Sequence, residues 1–344
     1  MSSARTTVLS ILAAACAVSA TSCARPEPYT AETFVMGTAA WVTVAGVGAA
    51  EAEEAAQEVF REFRRIESVM STWADSSELS LLNAGAGSGP VAVSSELFAL
   101  VDNSLRYSRE TFGAFDPTVR PLVLLWGFQG GEPALPSPDA IDSALAFVGC
   151  DGISLDDAAL AVSLSAGAQI DFAGIAKGYA VDRGAAILER RGIRRALVNL
   201  GGNIYALGSP PGGRGWRIGV RDPRGGLGTV GTILLADAAV ATSGNYENFV
   251  EIDGRRYGHI IDPRTGRTVD GVLSVTVAAP TALAADALST GFFVLGPVEA
   301  ARAISSFEGV AALFALPNGV RIDYKVIGEF GRRLVLGPET DGPR

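Results

Sequence analysis

Between residues 49 and 70 apolar side chains return every three to four positions: Ala52, Ala55, Ala56, Val59, Phe60, Phe63, Ile66 and Val69 share one face, which predicts an amphipathic helix. A second helix is expected over 95–111 and a short one near 139–147. Another spans 175–191, ending in a basic last turn and Gly192, and a further one spans 283–294 and leads into 298–306. Shorter apolar runs bounded by turn residues predict strands near 33–44, 159–163, 168–172, 196–200, 216–221, 231–235, 249–252, 257–261, 273–277 and 309–315. Asp253-Gly254 reads as a hairpin turn, and many strands follow one another directly, which argues against a purely parallel, doubly wound sheet. The expected fold class is α/β in the broad sense, or α+β: mixed β-sheets flanked by helices. The most plausible internal boundary is the loop around 130–138.

The N-terminus carries a different pattern. Arg5 precedes an apolar run from Val8 to Ala20, too short to span a bilayer, and Ala20-Thr21-Ser22 places small residues before Cys23. This resembles the bacterial lipoprotein signal, with Cys23 the expected lipidation site, Cys16 a weaker candidate, and an ordinary soluble signal cut near Cys23 the alternative. The expected organisation is a signal at 1–22, a tether at 23–32, a folded body at 33–330 and a tail at 331–344. The expected location is the periplasmic face of the cell envelope, anchored to the membrane. With Cys16 removed and Cys23 lipidated, Cys150 would be the only thiol left, so no intramolecular disulfide could form.

Composition narrows the class. With 48% hydrophobic and 19% charged residues the chain is globular, and a net charge of -9 argues against nucleic-acid partners, which need cationic patches.

Three stretches could carry chemistry. In the first, Asp171-Phe172-Ala173-Gly174-Ile175-Ala176-Lys177, a strand is expected to turn into a helix. Free N–H groups at 174–176 and the charge of Lys177 would favour an anion, although the glycine could serve packing alone. The second stretch contains Asp286, Ser289 and Thr290, which lie at i, i+3 and i+4 on one helix face; such an oxygen set suits Mg²⁺. The alternative is that the hydroxyls bond back to helix carbonyls while Asp286 faces water. The third holds His259, the only histidine, at the end of an apolar strand, where it could accept a proton or be structural. Without further histidines or cysteines, zinc is disfavoured. Trp73 and Phe115 could stack on a flat heterocycle, Met36 could pack against one, and Thr242 and Ser243 could hydrogen-bond a phosphate or ribose; each could also be ordinary core or loop.

Taken in order, several motifs resemble the ApbE family. They are Met36-Gly37-Thr38, Phe115-Asp116-Pro117-Thr118, Leu125-Trp126-Gly127-Phe128, Ile175-Ala176-Lys177-Gly178-Tyr179-Ala180-Val181-Asp182, Val198-Asn199-Leu200-Gly201-Gly202, Ala241-Thr242-Ser243-Gly244, His259-Ile260-Ile261-Asp262-Pro263-Arg264-Thr265-Gly266 and Ala285-Asp286-Ala287-Leu288-Ser289-Thr290. The resemblance covers about 33–326. It implies a two-lobed, T-fold-like architecture and an FAD:protein FMN transferase. In that reaction the hydroxyl of a threonine or serine in a target protein attacks the FMN-side phosphorus of FAD and AMP leaves, with Mg²⁺ required.

By the same resemblance, Asp286 and Thr290, with Ser289 and the Gly174 carbonyl, would hold the metal. Met36, Trp73, Ala114, Phe115, Asp116, Asp171, Lys177, His259, Ile260 and Ile261 would line the FAD site, and His259 is the candidate general base. The implied partner is an exported flavin acceptor, a subunit of a membrane electron-transfer complex. Two departures stand out: Ala173 where the family often has glycine, and Asn203 where it often has aspartate. The rival readings are an Mg²⁺-dependent FAD pyrophosphatase and a non-catalytic FAD-binding lipoprotein.

Overall fold

The structure is a computed structural model that describes residues 27–130, 132–225, 228–245, 248–331 and 334–337. The expected signal at 1–22 and the lipidation candidate Cys23 lie outside the described residues. One eight-stranded sheet organises the fold. Its order is β1 (Tyr29–Val35), β2 (Thr38–Val44), β6 (Ala196–Leu200), β7 (Asn203–Leu207), β10 (Ala238–Gly244), β15 (Ser274–Ala279), β16 (Ala311–Asn318) and β17 (Arg321–Gly328). Every ladder in it is antiparallel, so the expected mixture of strands resolves into one pairing direction.

Helices cover one face. The helix α1 (Ala49–Met70) packs on β1 and on α6 (Ala176–Arg190), which in turn packs on β6 and on α7 (Ala282–Ala303); α7 lies over β10 and β15. The opposite face is covered by a smaller sheet, β18 (Leu334–Leu336), β9 (Thr229–Leu235) and β8 (Trp216–Arg221), whose Trp216, Ile233 and Leu235 pack on Ala206, Val240 and Leu313. Strand β10 is therefore buried on both sides: Ala239 and Ala241 enter the helical core while Ala238 and Val240 enter the other.

The remaining elements sit around the helical face. They are α2 (Glu78–Ala84), α3 (Ser95–Glu110), α4 (Arg120–Leu125), α5 (Pro138–Leu145), the small sheet β3 (Val91–Ala92), β5 (Ala161–Leu164) and β4 (Ile153–Asp156), and two hairpins, β11 (Phe249–Ile252) with β12 (Arg255–Gly258) and β13 (Ile261–Asp262) with β14 (Arg267–Thr268). Helix starts are capped as their sequences suggest. Ser77, Ser94, Ser137 and Thr281 each accept a backbone N–H from three residues on. The helix α7 is long and apolar enough to cross a membrane, but it forms the centre of the core, and it breaks at Gly296 (φ 66°) just before Pro297.

Several expectations change. The strand expected over 33–44 is a hairpin, because Met36 (φ 52°) and Gly37 (φ 71°) both turn left-handed, as a two-residue connection between twisted strands requires. The ordered ladder begins at Tyr29, inside the expected tether, and β18 comes from the expected tail and pairs with β9. The strand expected over 257–261 is split, with His259 and Ile260 between β12 and β13. Residues 168–172 form no ladder. Instead the Asn83 side chain takes a strand's place: its Nδ2 donates to Ile170 O at 2.8 Å and its Oδ1 accepts from Ile170 N at 2.7 Å.

Candidate active site

The candidate site forms where the N-terminal turn of α6 meets the second turn of α7, beside the end of β10. Asp286 points into this junction. It is only 5% exposed, and its Oδ2 accepts the Gly178 N–H at 2.8 Å. Burial pushes its carboxyl above the usual range, against the pull of the Lys177 charge, the Gly178 N–H and a hydrogen bond from the Asn203 amide. Gly178 must be glycine here: a Cβ would overlap the Ala282 carbonyl oxygen and the Asp286 side chain.

Thr290 lies one turn further along α7. A Cβ on Gly174 would sit 3.1 Å from Thr290 Oγ1, so the backbone at 174 and this hydroxyl are neighbours. Ser243 on β10 bonds Ser289 Oγ at 2.8 Å and reaches Thr290 Oγ1 at 3.4 Å, while Ser289 also donates to Asp286 O at 2.9 Å. The bonds back to the helix carbonyl anticipated as an alternative are therefore present for Ser289, and at 3.4 Å for Thr290, yet Asp286 faces the interior rather than water. Thr242 is turned to the neighbouring strand, with its hydroxyl 2.9 Å from that of Thr276.

The expected anion cradle at the start of α6 is corrected. The N–H groups of Ile175 and Ala176 are not free; both donate to Phe172 O, at 3.0 and 2.8 Å, and Lys177 Nζ donates to Ala173 O at 3.0 Å. The junction is instead rich in oxygens: a carboxylate, two serine hydroxyls, a threonine hydroxyl and the nearby backbone of Gly174. Asn203 adds another. It is 4% exposed, and its Oδ1 is buried without a hydrogen-bond partner. A buried acceptor left unpaired costs about 1–3 kcal/mol. A hard, oxygen-seeking divalent cation fits this donor set. No group of three or more His, Cys, Asp or Glu comes together among the described residues, so a cation here would rely on hydroxyl, amide and carbonyl oxygens beside the Asp286 carboxylate.

His259 is half-buried at the break between β12 and β13. Its Nδ1 lies 3.0 Å from the Asn248 carbonyl oxygen, which can only accept, so Nδ1 carries the proton and Nε2 the lone pair. Burial, reinforced by the Lys177 charge, pushes its pKa below the ordinary 6.5, which keeps the ring neutral near pH 7. Gly258 precedes it with no space for a Cβ, because the Asn245 side chain packs against that position. Ile260 and Ile261 are buried, and Ile261 joins Leu122 and Trp126 in a small separate core; Trp126 Nε1 donates to Gly266 O at 2.9 Å and fixes the loop that follows.

The remaining expected residues divide between surface and core. Trp73 is 72% exposed and presents an aromatic face. Phe115 does not: it is buried, set edge-on to Tyr107 at 6.4 Å and packed under Gly174, so its role is to support the turn rather than to stack on a ligand. Ala114 is buried beside it, and Met36 is half-buried against the main core. Asp116 is turned inward. Its Oδ1 accepts from the Thr118 N–H at 2.7 Å, the Thr118 hydroxyl at 2.5 Å and the Cys150 thiol at 3.6 Å, and burial raises its pKa. The Cys150 thiol is itself pushed up to about 12 by burial and by the Asp116 charge.

Asp171 anchors a network that sequence reading missed. Its Oδ1 accepts from Ala173 N at 2.8 Å, and its Oδ2 accepts from Gln129 Nε2 at 3.2 Å and pairs with Arg120 at 3.6 Å. Gln129 also donates to the Thr72 hydroxyl and Arg120 to the Thr72 carbonyl, so Asp171 and the Trp73 loop are held by the same two side chains. Nothing in the local pattern around Arg120 marks it.

Comparison with known proteins identifies the family of the chain. The ApbE family model matches residues 36–314. The chain is 39% identical over 314 residues to an FAD:protein FMN transferase of Treponema pallidum, covering 86% of each protein, and 35% identical over 306 residues to one of Salmonella typhimurium, covering 87% of each. Among solved structures, the ApbE protein of Thermotoga maritima superposes with a TM-score of 0.79 at 35% identity, covering 86% of this chain and 96% of that one. The flavin transferase ApbE of Vibrio cholerae gives 0.78 at 29% identity, covering 88% and 98%. With its motifs, its fold and nearly its whole described length matched, this chain belongs to the ApbE family.

Proposed function

We propose that this protein transfers FMN from FAD to a threonine or serine hydroxyl of a target protein and releases AMP. The observation that carries this reading is His259: a neutral ring with its proton fixed on Nδ1 by Asn248, a lone pair on Nε2, and Lys177 close enough to act on both it and the buried Asp286. The names of the relatives, FAD:protein FMN transferase, point the same way.

In the proposed step the acceptor oxygen attacks the phosphorus on the FMN side of the pyrophosphate. A new P–O bond forms as the bond to the AMP oxygen breaks. The hydroxyl proton passes to Nε2 of His259, and AMP leaves with the bridging oxygen. Lys177 offers its charge to the pyrophosphate, and exposed Trp73 offers a face to the flavin or adenine ring. Asp286, Thr290 and the Gly174 carbonyl would hold a divalent cation, best matched by Mg²⁺, which when bound neutralises charge on the phosphates. Arg120 and Gln129 keep Asp171 and the Trp73 loop in place.

The proposed setting is the periplasmic face of the cell envelope, with Cys23 lipidated; the support is the short apolar run and the small residues before Cys23. The proposed acceptor is an exported subunit of a membrane electron-transfer complex. Incubation with FAD, Mg²⁺ and such a subunit should give a fluorescent protein band that survives denaturation, absent with Asp286→Ala. Free FMN and AMP without that band would replace transfer by hydrolysis, and uncleaved FAD would remove catalysis altogether.

A further inference from the structure

We infer that Asn203 supplies an additional oxygen donor to the cation site built on Asp286, Thr290 and the Gly174 carbonyl, while its amide N–H₂ group holds the Asp286 carboxylate in position. This rests on the cation reading proposed above.

The placement of Asn203 is fixed by backbone. It opens β7 immediately after Gly201 (φ 60°) and Gly202 (φ 89°), a left-handed pair that closes the β6–β7 hairpin in two residues. Gly201 N also donates to Ala39 O at 3.0 Å, and Gly202 N to Asn199 Oδ1 at 3.0 Å, so the hairpin tip is tied to β2 and to its own strand. From this tip the side chain enters the junction between α6 and α7. Its amide nitrogen donates to Asp286, and its Oδ1 is buried and unpartnered.

The rest of the junction is already paired. Gly178 N–H is taken by Asp286, and Ser243, Ser289 and Thr290 bond one another or Asp286 O. Two other buried side-chain acceptors lack partners among the described residues, Glu110 Oε2 and Asn245 Oδ1, but it is Asn203 that bonds Asp286. An uncharged amide oxygen is a hard donor of the kind Mg²⁺ and Mn²⁺ accept, and it adds no charge to a site that already buries a carboxylate.

The test is Mn²⁺ binding to the whole protein, read as loss of the free-ion resonance signal and independent of turnover. Asn203→Leu should weaken Mn²⁺ binding by about tenfold or more, the lower end of what a supporting ligand typically contributes. Asn203→Asp, nearly the same shape, should bind Mn²⁺ several-fold more tightly while melting at a lower temperature without metal, because two carboxylates then face each other. Near-UV circular dichroism confirms folding, and the aspartate variant decides the matter if the leucine variant does not fold. Both variants, or the aspartate variant alone in that case, binding within twofold of the unaltered protein while Asp286→Ala loses the ion would overturn the inference and leave the cation site standing. An Asp286→Ala protein that binds Mn²⁺ normally would instead remove the cation site itself, and the role of Asn203 with it.

Discussion

The backbone N–H of Gly178 donates to Oδ2 of Asp286 at 2.8 Å, a single bond that joins the first turn of α6 to the second turn of α7 and holds the buried carboxylate at the junction. Because a Cβ at 178 would collide with the Ala282 carbonyl, which is backbone and has little freedom to yield, Gly178→Ala should force the two helices apart. The expected cost is about 1–3 kcal/mol of stability, seen as a lower denaturant midpoint, together with loss of flavin transfer. A variant with unchanged stability and full activity would show that the helices do not depend on this approach.

Replacing the proposed base should affect chemistry more than binding. His259→Ala is expected to lower kcat about 10²- to 10⁴-fold while FAD affinity stays within a few-fold. The pH profile supplies a second check. Since burial and Lys177 lower the His259 pKa, the neutral, active ring persists below pH 6.5, and the acid limb of kcat/KM should fall beneath that value in the unaltered protein. Lys177→Met should move this limb upward, toward the ordinary imidazole value.

Trp73 is the most exposed aromatic ring at the site, so its removal should leave the fold intact. Trp73→Ala is expected to raise the KM for FAD about 3- to 10-fold, corresponding to about 0.5–1.5 kcal/mol of stacking, and Trp73→Phe to restore most of it. Initial transfer rates at varied FAD concentration measure this directly.

Asp182 on α6 caps α7, accepting from Ala282 N at 2.7 Å and Leu283 N at 2.9 Å, yet burial raises its carboxyl to about 6. The ordinary value is 3.8, so the folded chain holds this proton more tightly than the unfolded chain. The resulting stabilisation is complete below pH 3.8 and is lost as pH rises past about 6. A shift of this size corresponds to about 3 kcal/mol. Asp182→Asn should flatten the stability profile between pH 4.5 and 6.5 in urea titrations. An unchanged slope would assign the pH dependence to other groups.

How much of this was legible in the sequence depended on the distance over which each feature is encoded. The face shared by Asp286, Ser289 and Thr290 follows from helical spacing and was readable. So was the long amphipathic α1. The extended segment ending at Asp171 looked like a strand because its residues are buried, but its partner is one asparagine side chain 87 positions earlier, which no local period reveals. The supposed phosphate cradle failed for a related reason. Whether N–H groups at a helix start are free depends on how the preceding turn closes, and here the Phe172 carbonyl consumes two of them. Arg120 and Gln129 meet Asp171 across more than forty residues, a contact that tertiary packing alone creates.

Cys150 has one further consequence. It is the only cysteine among the described residues, and with its thiol near 12 the reactive thiolate is about one part in 10⁵ at pH 7. The folded body therefore has no redox requirement of its own. With a single cysteine it has no disulfide to form, so its folding needs no disulfide isomerase.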